Sequence, residues 1–213
     1  MTLLACLASP AMAAEVPAAP AVPLSQPCDK VPGLVQAFAE VSTLRAAFTD
    51  SKDIAILDAP LVSKGHVYYQ RPDRLHLATE TPSRQSVTLV GTRVRVVQED
   101  LGREQAMDLG VSDVAKAVVA NVLLVLGGRI DALSALYRCT AEPDRDAWRM
   151  TLVPLREPMT KVVRQMQVRL ARDGTLREVR VEELDGDAST MSFTATVTNR
   201  PFTDQEVRSY FTP

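Results

Sequence analysis

From Ile54 onward the apolar residues of this chain fall into short segments of period two, and that pattern is interrupted mid-chain by the run Ser112–Gly127, S-D-V-A-K-A-V-V-A-N-V-L-L-V-L-G. A period of two places alternate side chains on opposite faces, so each segment offers one apolar face to a sheet. The interrupting run opens on the capping pair Ser112-Asp113 and stops at Gly127-Gly128, as helices do. It contains Lys116 and Asn121 and falls short of the ~20 residues that a membrane crossing requires. So apolar a helix must be buried against something, and the strands on either side of it supply the surface. A sheet of this many antiparallel strands curls, and the helix is expected to plug its concave side.

Turn residues divide the first group of strands at Asp58–Pro60, Ser63–Gly65, Arg71–Asp73, Thr81–Ser83, Gly91-Thr92 and Asp100–Gly102. In His66–Gln70, Val67 and Tyr69 share a face; Leu75, Leu77 and Thr79 do so in Arg74–Glu80, and Val94 and Val96 in Arg93–Gln98. A second short helix is predicted over Ile130–Tyr137. Strands follow at Ala147–Val153, Val162–Ala171 and Leu176–Leu184, with a hairpin at Arg172-Asp173-Gly174-Thr175, and Met191, Phe193, Ala195 and Val197 mark a last strand. Upstream, Leu34, Phe38, Val41, Leu44 and Phe48 recur at three- and four-residue steps, which predicts one amphipathic helix over Val31–Phe48. Phe202–Phe211 reads as a short amphipathic tail. The fold class is mainly β with helices (α+β): about six strands, two helices and about five strands, curled into an unclosed antiparallel barrel with a helical lid.

Residues 1–14, uncharged and ending in the small-x-small site Ala11-Met12-Ala13, read as a signal peptide, with lipoprotein-type processing at Cys6 as the second reading. Residues 15–30, rich in proline and alanine, read as a flexible segment, and 31–213 as a single domain. Removal of the leader leaves Cys28 and Cys139, either a disulfide or two free thiols. The net charge of −2 with interspersed signs, and an aromatic content of 5%, speak against a nucleic-acid partner. No metal-ligand spacing, nucleophile elbow, phosphate-cradling glycine loop or redox Cys-x-x-Cys is present, so neither an enzyme nor a cofactor or metal site is expected. His66 and His76 read as partly exposed strand residues, and Glu182-Glu183 as a solvated strand end.

The order and spacing of Leu44–Phe48, Ser63-Lys64-Gly65, Tyr69-Gln70-Arg71-Pro72, Pro82, the apolar Leu123–Leu126, Trp148–Pro154, Arg172–Thr175 and Phe193–Pro201 resembles the periplasmic outer-membrane lipoprotein carrier family LolA. The resemblance covers roughly Val31 to the C-terminus. It implies a periplasmic, non-enzymatic carrier of acylated lipoprotein or lipid cargo, loaded by an inner-membrane transporter and unloaded to an outer-membrane acceptor. It also implies that Arg71, before a proline at a strand end, latches the lid by hydrogen bonds. On this reading Val67, Tyr69, Leu75, Leu77, Val87 and Leu89 line a hydrophobic cavity with Val94, Val96 and Trp148. Val118, Val122, Leu123 and Leu126 form its lid. The alternatives are a lipid-responsive sensor of the same fold and a carrier of another lipid, such as a lipid-linked pigment.

Overall fold

The computed structural model describes residues 25–39, 41–127 and 129–212. The elements run β1 (Gln26–Pro27), α1 (Leu34–Ala39), β2 (Thr43–Asp53), β3 (Leu61–Gln70), β4 (Arg74–Thr81), β5 (Gln85–Val90), β6 (Arg93–Gln98) and β7 (Arg103–Asp108). The helices α2 (Asp113–Leu126) and α3 (Ile130–Leu136) come next. They are followed by β8 (Tyr137–Asp144), β9 (Ala147–Pro154), β10 (Val163–Ala171), β11 (Leu176–Glu183), β12 (Ala188–Thr198) and α4 (Asp204–Tyr210). The predicted leader, Cys6 and most of the proline-rich segment lie outside the described residues.

All strands join one antiparallel sheet of 12 strands, in the order β1-β8-β9-β10-β11-β12-β2-β3-β4-β5-β6-β7, and it does not close. Two meanders, β2–β7 and β8–β12, are sewn together where β12 pairs with β2, with Phe193 opposite Phe48. This topology dictates where the helices go. The chain leaves β7 at one edge and must re-enter at β8, beside the other edge, so α2 and α3 cross the sheet between them. The apolar face of α2 demands burial, which selects the concave side: Val125 and Leu126 of α2 and Leu133 of α3 join a core containing Leu44, Phe48, Val67 and Phe193.

Three sequence expectations are corrected. Only Leu34–Ala39 of the predicted Val31–Phe48 helix is helical, because Thr43–Asp53 is a strand. Leu44 and Phe48, four apart, fit both periods. The buried residue between them is Ala46, too small to have advertised the alternation, and together they give the i, i+2, i+4 face of a strand. Ser63–Gly65 is no turn but lies inside β3, at a register shift against β4. Gly65 is there because a Cβ would sit 1.9 Å from the Ala78 carbonyl oxygen, so the glycine permits close approach of two backbones. Finally, Gln26 and Pro27 pair with Ala141 and Thr140, and Cys28 is bonded to Cys139 with Cα atoms 5.5 Å apart. The described fold therefore starts before Val31, tied down by a covalent bond.

Candidate functional site

The lid ends at a backbone junction built for a cation. The last carbonyls of a helix lack intrahelical partners and carry partial negative charge. Arg71 leaves the end of β3, its own N–H held by the Ser42 carbonyl at 2.9 Å, and its Nη2 donates to the carbonyl oxygen of Gly127 at the C-terminal end of α2. Tyr69, fully buried two residues earlier, lies against the same glycine, where a Cβ would meet its hydroxyl at 2.8 Å. Burial pushes the Tyr69 phenol above its ordinary pKa, and the neighbouring Arg71 guanidinium opposes that shift. Arg71 and Tyr69 thus meet the end of α2 together.

Under α2 lies an inner cavity of about 270 Å³. Its roof is Val122, Val125 and Leu126 of α2, and one wall is Val67, Leu75 and Leu77 of β3 and β4. The opposite wall comes from the second meander: Met166, Val179, Val181, Met191 and Phe193. A second space of about 340 Å³ adjoins it at Val122, Met166 and Val181, and reaches Asn121, Tyr137 and Met159. A third of about 590 Å³ continues from Asn121, Tyr137 and Met159 to Lys116 and Arg156 at the surface. Each of the two outer spaces has the size of a small-molecule pocket. The concave faces become polar at one end, where Ser189 donates to Asp50 at 2.7 Å and Lys52 stands 4.0 Å from Glu183. Glu183, read from sequence as a solvated strand end, borders the second space.

The residues singled out from sequence divide into four groups. Val67, Leu75, Leu77, Val122 and Leu126 border the inner cavity, and Val118 the second. Val118 and Val122 are 42% and 40% exposed, and both turn apolar surface to the spaces they border. Leu89 and Val94 form a separate small cluster with Leu109, against which Val87 and Val96 pack; they seat α2 on β5 and β6 and do not border the inner cavity, while Leu123 touches both cores. Trp148 is a buried core residue with Arg172 over its ring at 4.1 Å, and it borders none of these three spaces. The cavity residues that sequence reasoning missed include Val125 of α2 and those of β10–β12, together with Asn121, Tyr137 and Met159. The alternation of Met166 and Val168, and of Met191 and Phe193, was visible, but not that β12 would pair with β2 and turn this face onto the same space.

The convex face carries a clasp. Tyr210 of α4 stacks on Tyr68 at 3.8 Å between centroids and leans on His76 at 5.7 Å, while Arg45 lies 3.6 Å from the Phe202 ring centroid. A capping box at Thr203 and Glu206 starts α4, and Glu206 also accepts from Arg45 at 3.3 Å. Burial, with the Arg95 guanidinium adding to it, lowers the His76 pKa below 6.5. The folded protein therefore binds fewer protons here than the unfolded chain. The stability that neutral His76 allows is complete above pH 6.5 and is lost as pH falls from there through the depressed folded value. Thermal melts between pH 7.5 and pH 5 should accordingly fall less steeply for His76→Gln than for the parent; superimposable profiles would refute the assignment.

The family model described as outer membrane lipoprotein carrier protein LolA matches residues 39–208, which span β2 through most of α4. The chain belongs to the LolA family. No match is found among curated proteins. Among solved structures, a LolA superfamily protein from Nitrosomonas europaea shares 10% identity at a TM-score of 0.42, over 84% of this chain and 96% of that one. A DUF1329 family protein from Desulfovibrio piger shares 10% at 0.46, over 84% and 95%. MucB shares 18% at 0.44, over 82% of this chain and 59% of its own. This LolA-family chain has, among its described residues, no helix long and apolar enough to cross a membrane, and no group of three or more His, Cys, Asp or Glu placed to hold a metal ion.

Proposed function

We propose that this LolA-family protein is a periplasmic, non-enzymatic carrier that receives the acyl chains of a lipoprotein or another lipidated molecule beneath α2 and moves them toward the outer membrane. The observation that supports this most directly is the inner cavity: an apolar space between the lid helix and both meanders, flanked by two outer spaces that share lining residues with it in turn. Family membership supports the same reading. An inner-membrane donor and an outer-membrane acceptor are the partners it requires.

Energetics favour a lid that resists opening. Each buried methylene contributes about 0.8 kcal/mol, so a dozen would reach on the order of 10 kcal/mol, corresponding to slow release. Displacing Val122, Val125 and Leu126 from the inner cavity, and breaking the contact between Arg71 and Gly127, offsets part of that gain and keeps cargo transferable. Native mass spectrometry of the protein purified from a bacterial periplasm, followed by denaturing extraction, tests the proposal. A co-purifying acylated protein or lipid is expected. A clean apo mass, combined with failure to bind an added acylated peptide, would overturn it.

A further inference from the structure

We propose that the tip of the β2–β3 hairpin is a docking knob for a membrane-anchored protein that offers an apolar groove flanked by lysine or arginine; this rests on the carrier reading above, whose partners it gives a point of attachment. Ile56 is 89% exposed, and Leu57, Leu61 and Val62 of the same hairpin are exposed with it. The adjoining turn between β11 and β12 adds Leu184. Single exposed apolar residues are normal on a protein surface, but a cluster at one tip is not, and turns ordinarily carry polar residues. None of the five borders the three spaces under α2 and none belongs to the core, so neither the cavity nor stability accounts for them.

The knob is held in shape. The Leu57 N–H donates to the Ile54 carbonyl at 2.9 Å, and the Ala55 N–H donates to the Asp187 carboxylate of the adjoining turn at 3.0 Å, so little ordering remains to be done on binding. Its charge specifies the partner. Residues 52–62 and 183–187 contain the acids Asp53, Asp58, Glu183, Asp185 and Asp187 against a single base, Lys52, which already faces Glu183 at 4.0 Å. An aliphatic tip in an acidic collar, without interfacial Trp or Tyr, is repelled by an anionic bilayer and complements a groove with basic flanks. Its position suits transfer. Asp53 pairs with Ala188, and Glu183 with Val163, so the knob stands at the end of the sheet where Glu183 and Val163 border the second space. Arg71 follows the opposite end of β3.

Co-sedimentation of the protein with right-side-out inner-membrane vesicles and outer-membrane fragments of the source bacterium, against liposomes of the lipids extracted from them, tests the knob. Saturable binding to a native membrane is expected, absent from the liposomes and lost once the membranes are treated with protease. Ile56→Asp should weaken it by roughly tenfold or more, as loss of a central interface side chain does. Asp53→Lys together with Asp58→Lys should weaken it as well, and the parent's affinity should fall as salt rises. Melting temperatures should stay at the parent value, because these side chains are exposed. Equal binding by parent and Ile56→Asp, binding to liposomes as strong as to native membranes, or no binding to either, would each overturn the docking knob. Self-association that depends on Ile56, read by sedimentation velocity, would overturn it in favour of a second copy. Binding of an added acylated peptide should be the same in parent and variants; its absence from the parent would overturn the carrier reading instead.

Discussion

Arg71→Leu is expected to make the protein hold cargo more tightly and transfer it to acceptor vesicles more slowly by roughly tenfold or more. Its guanidinium donates a hydrogen bond to the Gly127 carbonyl at the end of α2. A hydrogen bond to a charged group contributes about 1.5–3 kcal/mol, which corresponds to a shift of at least tenfold between closed and open lid. On the proposed carrier reading cargo binds the open form, so removing the bond strengthens apparent affinity by the same factor and slows release. Arg71→Lys should fall between parent and leucine variant, because an ammonium keeps the charge at the helix end but loses the planar fork. Stopped-flow transfer of a fluorescent acylated peptide to vesicles measures the effect. Transfer rates that do not differ among the three proteins would refute the latch.

Loss of the Cys28–Cys139 disulfide is the largest expected change in stability. The bond closes a loop of 111 residues, and cross-links of that span restrict the unfolded chain most. Cys28→Ser together with Cys139→Ser should destabilise the protein by about 2–5 kcal/mol, the range seen for native disulfides. For a chain of this size that corresponds to a fall in Tm of roughly 5–20 °C. Reductant should produce the same fall in the parent and none in the double variant. The bond has structural leverage because Cys139 lies on β8, directly after α3, and Cys28 lies beside α1; it holds the N-terminal segment, whose β1 forms the sheet edge, to the strand onto which the lid helices lead. Equal melting temperatures with and without the bond would show that β1 and the core residue Leu34 anchor that segment unaided.

The positions of β4–β6 and β9–β12, most turns and the two central helices were legible in the sequence because each follows from local periodicity and local chain chemistry. Val67, Leu75 and Leu77 could be assigned to an inward face from alternation alone, and Ser112–Gly127 to a buried helix from composition and caps. Periodicity failed where it was degenerate. Leu44 and Phe48 fit a helix and a strand equally, and only pairing with β12 and β3 decided for the strand. Gly65 reads as a turn residue in isolation, yet its role is set by the Ala78 carbonyl of the neighbouring strand. The same limit explains the candidate site. Which apolar strand faces line the cavity depends on which strands curl toward α2. The non-local pairing of β2 with β12 placed Met166, Val181 and Phe193 opposite Val67 and left Val94 and Trp148 elsewhere. What the sequence determined was the set of amphipathic surfaces; which of them meet, and what space they leave, was decided by the tertiary structure, because hydrophobic burial is non-directional and only register and topology choose the partner.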